Sequence, residues 1–123
     1  MLTSPPYVGI IDYHEQHKYA YELLGLSWRA EKEIGPAFKG NSKIAQQEYI
    51  DQIAEVFLNL KRKLASDATV VIIVNDRHGL YDNLPSQLGF ILEERLERHV
   101  NRRTGIRSND FYESILVWKQ RRR

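Results

Sequence analysis

The residues whose types most directly suggest chemistry stand at the start of the 123-residue chain, in the run Thr3-Ser4-Pro5-Pro6-Tyr7. Neither proline has a backbone N–H, and the fixed φ angle of each ring holds the neighbouring carbonyl groups in one direction. The run therefore offers acceptor oxygens and few donors, which suits an exocyclic NH2 group. An aromatic ring such as that of Tyr7 can stack on the face of a flat heterocycle. These features indicate a pocket for an amino-bearing base; the alternative interpretation is a Pro-rich turn with a packed tyrosine.

A second group of polar residues follows an uninterrupted apolar run. The run Thr69–Val74 is rich in β-branched residues, and its continuity favours a strand covered on both faces, as in a parallel sheet flanked by helices. Asn75 and Asp76 come directly after it. Ligands of open α/β sheets gather outside the carboxyl ends of the strands, so we expect these two side chains to lie beside the Ser-Pro-Pro-Tyr loop and to bind substrate.

Two helices are predicted between these groups. Apolar residues recur at spacings of three and four from Ile10 to Leu24, which favours a helix ending near Gly25. The clearest pattern runs from Ser42 to Leu64, where Asn41 or Ser42 can cap the helix. Its apolar positions are Ile50, Ile53, Phe57, Leu60 and Leu64. Residues 27–41 are expected to form a loop with a turn of helix near Trp28 to Glu33.

The last third of the chain contains a short helix and two longer apolar stretches. Asn83-Leu84-Pro85 predicts a helix that stops before Gly89, with proline near its first position. The pattern of Phe90–Val100 fits either a helix or a strand. Residues 104–110 are predicted to form a polar loop, and Phe111–Lys119 is predicted to be a strand.

Taken together, these stretches resemble the amino-group DNA methyltransferases. That family uses (Asp/Asn/Ser)-Pro-Pro-(Tyr/Phe/Trp) as its catalytic motif, and the later match includes the strand ending in Asn75-Asp76, then Leu88-Gly89-Phe90, and finally Phe111–Lys119. The resemblance covers nearly the whole chain. It also decides the interpretation of Phe90–Val100, because in the family Gly-Phe is followed by a strand.

The resemblance implies an α/β fold with part of the Rossmann-like methyltransferase sheet and flanking helices. The strands would be strand four, reduced to a stub at Met1 to Thr3, followed in the sheet by strands five, seven and six. Residues 1–123 would form a single domain, the catalytic-motif half of the fold. The family binds S-adenosylmethionine with a Gly-x-Gly-like turn, and none of the seven glycines here makes one. We therefore expect the cofactor-binding half to be absent, and no cofactor-binding residue is assigned.

The resemblance also implies roles for the motif residues Ser4, Pro5, Pro6 and Tyr7. Ser4 and the Pro5 carbonyl would accept hydrogen bonds from the target NH2, and Tyr7 would stack on a flipped base. The expected activity is methylation of DNA at an exocyclic amino group, and the serine form of the motif favours N4 of cytosine over N6 of adenine. The isolated chain is expected to be inactive without a partner that supplies the cofactor half, or to form a homodimer. The same motif can also act on RNA or on a protein amide.

The net charge of +2 conceals an uneven distribution. Residues 1–94 carry nine basic against thirteen acidic residues, whereas residues 95–123 carry nine against three. Such a local excess attracts a phosphate backbone. Within it, Arg102, Arg103 and Arg107 are predicted to bind DNA, and the alternative is a solvated loop and tail. The competing functional class is a non-catalytic nucleic-acid-binding or assembly module derived from a methyltransferase.

Composition excludes several other classes of protein. The chain has no cysteine, so disulfides and cysteine-ligated zinc are excluded. No apolar run approaches the length of a membrane span, and the N-terminus lacks a signal-peptide pattern, so a cytoplasmic protein is expected. His14 and His17 have the wrong spacing for a zinc helix and lack a third ligand, so we predict surface histidines and no metal site.

Overall fold

The computed structural model describes residues 1–9, 13–36, 39–40, 42–100 and 111–121, apart from the side chain of Phe111. The chain divides into two compact units, one comprising Met1–Pro5 with Val56–Arg123 and the other comprising Pro6–Glu55. The division falls inside the Ser-Pro-Pro-Tyr motif and again inside a long helix. The described elements are β1 (Leu2–Thr3), α1 (Tyr13–Gln16), α2 (Lys18–Leu24), a 3₁₀ helix (Ala30–Lys32), α3 (Lys43–Lys61), β2 (Thr69–Val74), α4 (Leu84–Leu88), β3 (Phe90–Val100) and β4 (Phe111–Gln120).

The strands form one mixed sheet in the order β1-β2-β4-β3. β1 lies parallel to β2, with Leu2 opposite Val71, and β4 is antiparallel to both of its neighbours. The α/β prediction of a four-stranded sheet with flanking helices is confirmed. The stub is an edge strand of two residues, extended by the Met1 carbonyl, which accepts from the Val71 N–H at 2.8 Å.

One face of strand β2 is completely buried. Val70, Ile72 and Val74 have no exposed surface, whereas the alternate residues of β2 are partly exposed. On the buried face Trp118 pairs with Val70, and its ring lies 5.3 Å from that of Phe57 in α3. The prediction that both faces of β2 are covered is therefore met in full on one face and only in part on the other, because an apolar run shows what a strand can bury and not which element covers it.

A β-bulge in β3 changes which residues share a face. Leu92 lies opposite Trp118 and Glu94 opposite Val117, so the register shifts between them. The extra residue moves Leu96 to the face that carries Ile115, away from the Leu92 face. The apolar residues of Phe90–Val100 are therefore split between two faces, which explains why their spacing fitted both helix and strand.

Helix α3 confirms the predicted helix, but its buried stripe differs from the predicted one. Ser42 Oγ accepts a hydrogen bond from the Ala45 N–H at 3.1 Å, as a capping residue does. The buried positions advance by four, through Ala45, Tyr49, Ile53 and Phe57, whereas Leu60 is exposed. A tyrosine thus takes a core position that the apolar pattern did not include.

The unit formed by residues 6–55 begins with two short helices instead of one. The predicted helix is broken at His17, whose φ and ψ of −103° and 18° leave the helical region, and α2 ends at Gly25 in the left-handed conformation, as predicted. Residues 10–12 lie outside the described part. The expected turn of helix within 28–33 is the 3₁₀ helix. Among the described residues no helix is long and apolar enough to cross a membrane.

Candidate functional site

The ends of β1 and β2 bring together two predicted groups of site residues. Because the strands are parallel, with Thr3 opposite Ile72, Ser4-Pro5 and Asn75-Asp76 leave the sheet at the same edge. Ser4 is exposed and Pro5 is buried. This is the carboxyl edge at which α/β folds bind ligands.

Asn75 uses one end of its side-chain amide within the sheet. Its Nδ2 donates to the Tyr112 carbonyl at 2.8 Å. Its Oδ1 is buried and has no hydrogen-bond partner among the described residues. A buried acceptor without a partner is costly, and such atoms concentrate at functional sites. Asn75 therefore has one unsatisfied acceptor at the sheet edge where Ser4-Pro5 leaves, and that atom is buried in this structure.

Asp76 is occupied by its own turn. Its carboxylate accepts from the backbone N–H of Leu80 at 2.8 Å and from that of Tyr81 at 3.0 Å. Burial raises the pKa of Asp76, and the nearby Asp82 raises it further, while the two backbone hydrogen bonds and Arg95 act in the opposite direction. Both carboxylate oxygens of Asp76 accept hydrogen bonds from the turn. A substrate bound by Asp76, as predicted, would therefore use oxygens that also stabilise the turn.

Arg95 belongs to a polar network that the sequence did not reveal. Its guanidinium donates to Asp82 at 2.9 Å and to Glu97 at 3.2 Å, and Ser114 Oγ donates to the same Glu97 oxygen at 2.9 Å. Burial lowers the pKa of Arg95, but the hydrogen bonds to Glu97 and Asp82 outweigh it and the net shift is upward. Arg98 is likewise paired with Glu113. Two arginines of the basic quarter are therefore neutralised by neighbouring carboxylates.

In the other unit, the second half of the motif is held by tyrosines. Tyr49 Oη donates to the Pro6 carbonyl at 2.7 Å. The hydroxyl of Tyr13 is hydrogen-bonded to the backbone of Tyr7; burial raises the Tyr13 pKa, that hydrogen bond lowers it, and the Glu33 charge raises it. Sequence reasoning missed Tyr49. Tyr49 could have been found from its place in the helical repeat, because a tyrosine on the buried face of a helix needs a hydrogen-bond partner for its hydroxyl.

His14 also lies in a cluster that was not predicted. Its Nδ1 is paired with Glu33, whose carboxylate also accepts from the His14 backbone N–H at 2.7 Å. The other ring nitrogen lies 2.9 Å from the Tyr21 hydroxyl, and the two rings are stacked with centroids 4.7 Å apart. The prediction of a surface histidine is wrong for His14, whereas His17 is exposed. Within the described ranges no three His, Cys, Asp or Glu side chains could hold a metal ion.

The remaining predicted site residues cannot be placed. Arg102, Arg103 and Arg107 lie outside the described residues, as do Arg122 and Arg123.

Comparison with known proteins identifies one informative relative. Over 119 residues the chain is 50% identical to the Type II methyltransferase M.MjaII of Methanocaldococcus jannaschii. This chain is similar to part of a Type II methyltransferase. The match covers 97% of the chain and 22% of that protein, so the chain spans about a fifth of the relative's length. No family model and no solved structure matches the chain. The predicted resemblance to a methyltransferase is confirmed by this relation.

Proposed function

We propose that residues 1–123 are the catalytic-motif half of a DNA amino-methyltransferase, with N4 of cytosine as the favoured target and N6 of adenine as the second choice. The observation that carries the proposal is the position of Ser4-Pro5 at the carboxyl end of β1, parallel to β2, in a chain half identical to a Type II methyltransferase. The order β1-β2-β4-β3 supports the assignment to strands four, five, seven and six of the methyltransferase sheet.

The proposed chemistry of this chain is the orientation of an amino group. Ser4 Oγ and the Pro5 carbonyl accept the two N–H bonds of the target, which directs the nitrogen lone pair away from them and keeps it available to accept a methyl group. Acceptors fixed in place also stabilise the positive charge that develops on the nitrogen. Tyr7 stacks on the base once it has left the duplex. Arg102, Arg103 and Arg107 hold the DNA phosphates in this proposal, and Asn75 leaves the sheet at the same edge as Ser4-Pro5.

The residues of this chain do not fit a site for the methyl donor, S-adenosylmethionine. None of its glycines makes the Gly-x-Gly turn that lets a backbone approach the cofactor, and the Asp76 carboxylate is used by its own turn. We propose that the donor-binding half lies outside residues 1–123, and that the protein acts in the cytoplasm.

A chimeric enzyme tests the proposal. Residues 1–123 replace the matching segment of the M. jannaschii protein, and the chimera is incubated with DNA and radiolabelled S-adenosylmethionine. We expect transfer to DNA, and nucleoside mass spectrometry identifies N4-methylcytosine or N6-methyladenine. Ser4→Ala should lower the rate about 100-fold, the typical loss of one transition-state hydrogen bond. Ser27→Ala, an exposed serine outside the motif, is the matched control.

The second candidate function is a non-catalytic nucleic-acid-binding or assembly module. The lack of a Gly-x-Gly turn for the methyl donor in these residues favours this second function. A folded chimera that binds the donor but transfers no methyl group would exclude the enzymatic proposal and support the module. Stoichiometric binding of S-adenosylmethionine to the isolated chain would show that the donor site lies here after all.

A further inference from the structure

The peptide unit between Pro6 and Tyr7 is held at both ends. At one end the Pro6 carbonyl accepts from Tyr49 Oη at 2.7 Å, and at the other the backbone of Tyr7 is hydrogen-bonded to the Tyr13 hydroxyl. The six atoms of a peptide unit are coplanar, so two contacts at opposite ends fix the orientation of the whole plane. The two tyrosines belong to different helices, α3 and α1.

The ψ angle of Pro6, which sets the orientation of this plane, is the main backbone torsion that the motif leaves free. The rings of Pro5 and Pro6 already fix the φ angle of each residue near −65°. The orientation of the following peptide plane is set by the ψ angle of Pro6. Fixing it also sets where the Tyr7 Cα lies, so that only the φ and side-chain torsions of Tyr7 remain to direct its ring.

Tyr49 is itself rigidly placed. It is 2% exposed, within a helix of 19 residues. A Cβ at Gly35 would lie 2.6 Å from Tyr49 Cδ2 and 3.2 Å from Val8 Cα, and Gly35 has a φ of +63°. Only glycine accommodates both this conformation and this approach of the tyrosine ring. The Gly35 carbonyl in turn accepts from the Gly9 N–H at 2.9 Å, which fixes the segment after the motif.

We propose that Tyr49 and Tyr13 are positioning residues, which lock the Pro6–Tyr7 peptide plane so that the Tyr7 ring is oriented toward the amino-bearing base before it arrives. This inference rests on the proposed methyltransferase function. Neither tyrosine is required to touch the substrate. Preorganisation of this kind lowers the barrier because misplacement of a reacting group by about 1 Å can cost about 100-fold in rate.

The lock is tested on the isolated full chain by nuclear magnetic resonance. Tyr49→Phe removes the donor and keeps the ring, and Tyr19→Phe is the matched control, because Tyr19 is 85% exposed. We expect Tyr49→Phe to shift the Pro6 carbonyl ¹³C resonance upfield and to speed hydrogen exchange at the Tyr7 amide. The control should change neither. If Tyr49→Phe fails to fold, Tyr13→Phe tests the other end of the same peptide plane, because it removes the hydroxyl that is hydrogen-bonded to the Tyr7 backbone and Tyr13 is less buried than Tyr49.

The catalytic consequence is tested in the chimera. Tyr49→Phe should lower kcat about 10- to 100-fold and leave the KM for DNA within twofold, whereas Tyr19→Phe should change neither. An unchanged kcat in a Tyr49→Phe protein whose Pro6 resonance has moved would overturn the positioning role while leaving the methyltransferase proposal intact. An inactive unmutated chimera would instead remove the proposed function and the catalytic part of this inference. A Pro6 resonance and Tyr7 exchange rate unaffected by both Tyr49→Phe and Tyr13→Phe would exclude the lock itself.

Discussion

The Asp76 carboxylate is a buried acid whose charge is a cost to the folded state. Burial raises its pKa above the ordinary value of 3.8, and the hydrogen bonds from Leu80 and Tyr81 offset only part of that effect. A group that binds its proton more tightly when folded gives stability that is fully present below its unfolded pKa. That stability is lost as the pH rises toward and through the folded pKa.

We therefore expect the free energy of unfolding to contain a component that declines as pH rises above about 4, the ordinary pKa of Asp. Asp76→Asn should lack that component. It should also lose about 1 kcal/mol at every pH, because an amide accepts through only one of its two terminal atoms and loses one backbone hydrogen bond, and near neutral pH the removal of the buried charge offsets this loss. Urea unfolding between pH 3.5 and 7 measures both effects. Asp67→Asn, an exposed aspartate in another turn, controls for the removal of one carboxylate.

At the residue scale, the sequence identified the motif but not the side chains that hold it. Ser4 to Tyr7 form a contiguous pattern whose chemistry can be read directly. Tyr49 lies 43 residues from Pro6, and the sequence around Tyr49 does not indicate which group accepts its hydrogen bond. The same holds for Glu33, which pairs with His14 from 19 residues away. Such partners are set by tertiary packing, so a single sequence shows only that a buried polar group needs one.

At the scale of elements, local signals were enough for most boundaries. The strand Thr69–Val74 and the short helix before Gly89 were predicted correctly because a β-branched run and a proline-glycine pair specify them locally. The bulge in β3 and the break at His17 were not predicted. A bulge is defined by the register with the neighbouring strand, and no property of β3 alone contains that register.

Lys61 connects the end of α3 to the end of α4. Its Nζ donates to the Leu88 carbonyl at 2.6 Å and lies 5.4 Å from the centroid of the Phe90 ring. The last carbonyls of a helix have no partner within that helix, so Lys61 satisfies a group that α4 cannot satisfy itself. A positive charge over an aromatic face adds to the attraction.

We expect Lys61→Met to lower the free energy of unfolding by about 2 kcal/mol, because it keeps the aliphatic stem and removes a charge-assisted hydrogen bond. Lys63→Met, two residues on and exposed, should change stability by less than about 0.5 kcal/mol. Urea titration of the three proteins at one pH gives the comparison. Equal losses in the two variants would assign the effect to net charge, and the Leu88 contact would then contribute little.

For the whole molecule, the pairing of Arg95 and Arg98 with carboxylates narrows the proposed DNA-binding surface. The other basic residues of that quarter are Arg102, Arg103 and Arg107, which are the three predicted to bind phosphates, and Lys119, Arg121, Arg122 and Arg123. Each phosphate contact contributes about −0.9 to the slope of log affinity against log salt concentration.

Replacing those three arginines by glutamine should make the slope less steep by about 3, as measured by fluorescence anisotropy with duplex DNA from 50 to 300 mM salt. A control removes the same charge from exposed positions outside that quarter, and we expect it to keep the original slope. Its substitutions are Arg29→Gln, Arg62→Gln and Lys63→Gln. Equal changes in the two triple variants would indicate non-specific attraction and contradict a defined phosphate-binding surface.

The two edges of the sheet differ in how well they are protected. On one side β1 pairs with β2 only through Leu2 and Thr3, so the described residues leave the end of β2 toward Val74 without a neighbour on that side. A short stub beside a flat, apolar strand invites pairing with another chain. On the other side β3 is long, carries several charges and contains a bulge, which are the features that discourage edge-to-edge pairing.

We therefore expect association through the β1 edge, either with a second copy or with a donor-binding segment that lies outside residues 1–123. Sedimentation equilibrium of the chain alone should show a species larger than the 14.5 kDa monomer, with a symmetric dimer as the simplest closed form. Leu2→Lys places a charge on that edge and should return the protein to monomers.

Leu96→Lys is the matched control for Leu2→Lys. Leu96 is exposed, stands on the opposite edge strand and shares the sheet face of Leu2, since the two lie opposite Ile115 and Val71. An edge contact is disrupted by Leu2→Lys alone, whereas stacking through the partly exposed face is disrupted by both substitutions. A chain that stays monomeric at high concentration would show that β2 needs no outside strand. That result would contradict association through the β1 edge, because the backbone groups of that edge would then need no neighbour from another molecule.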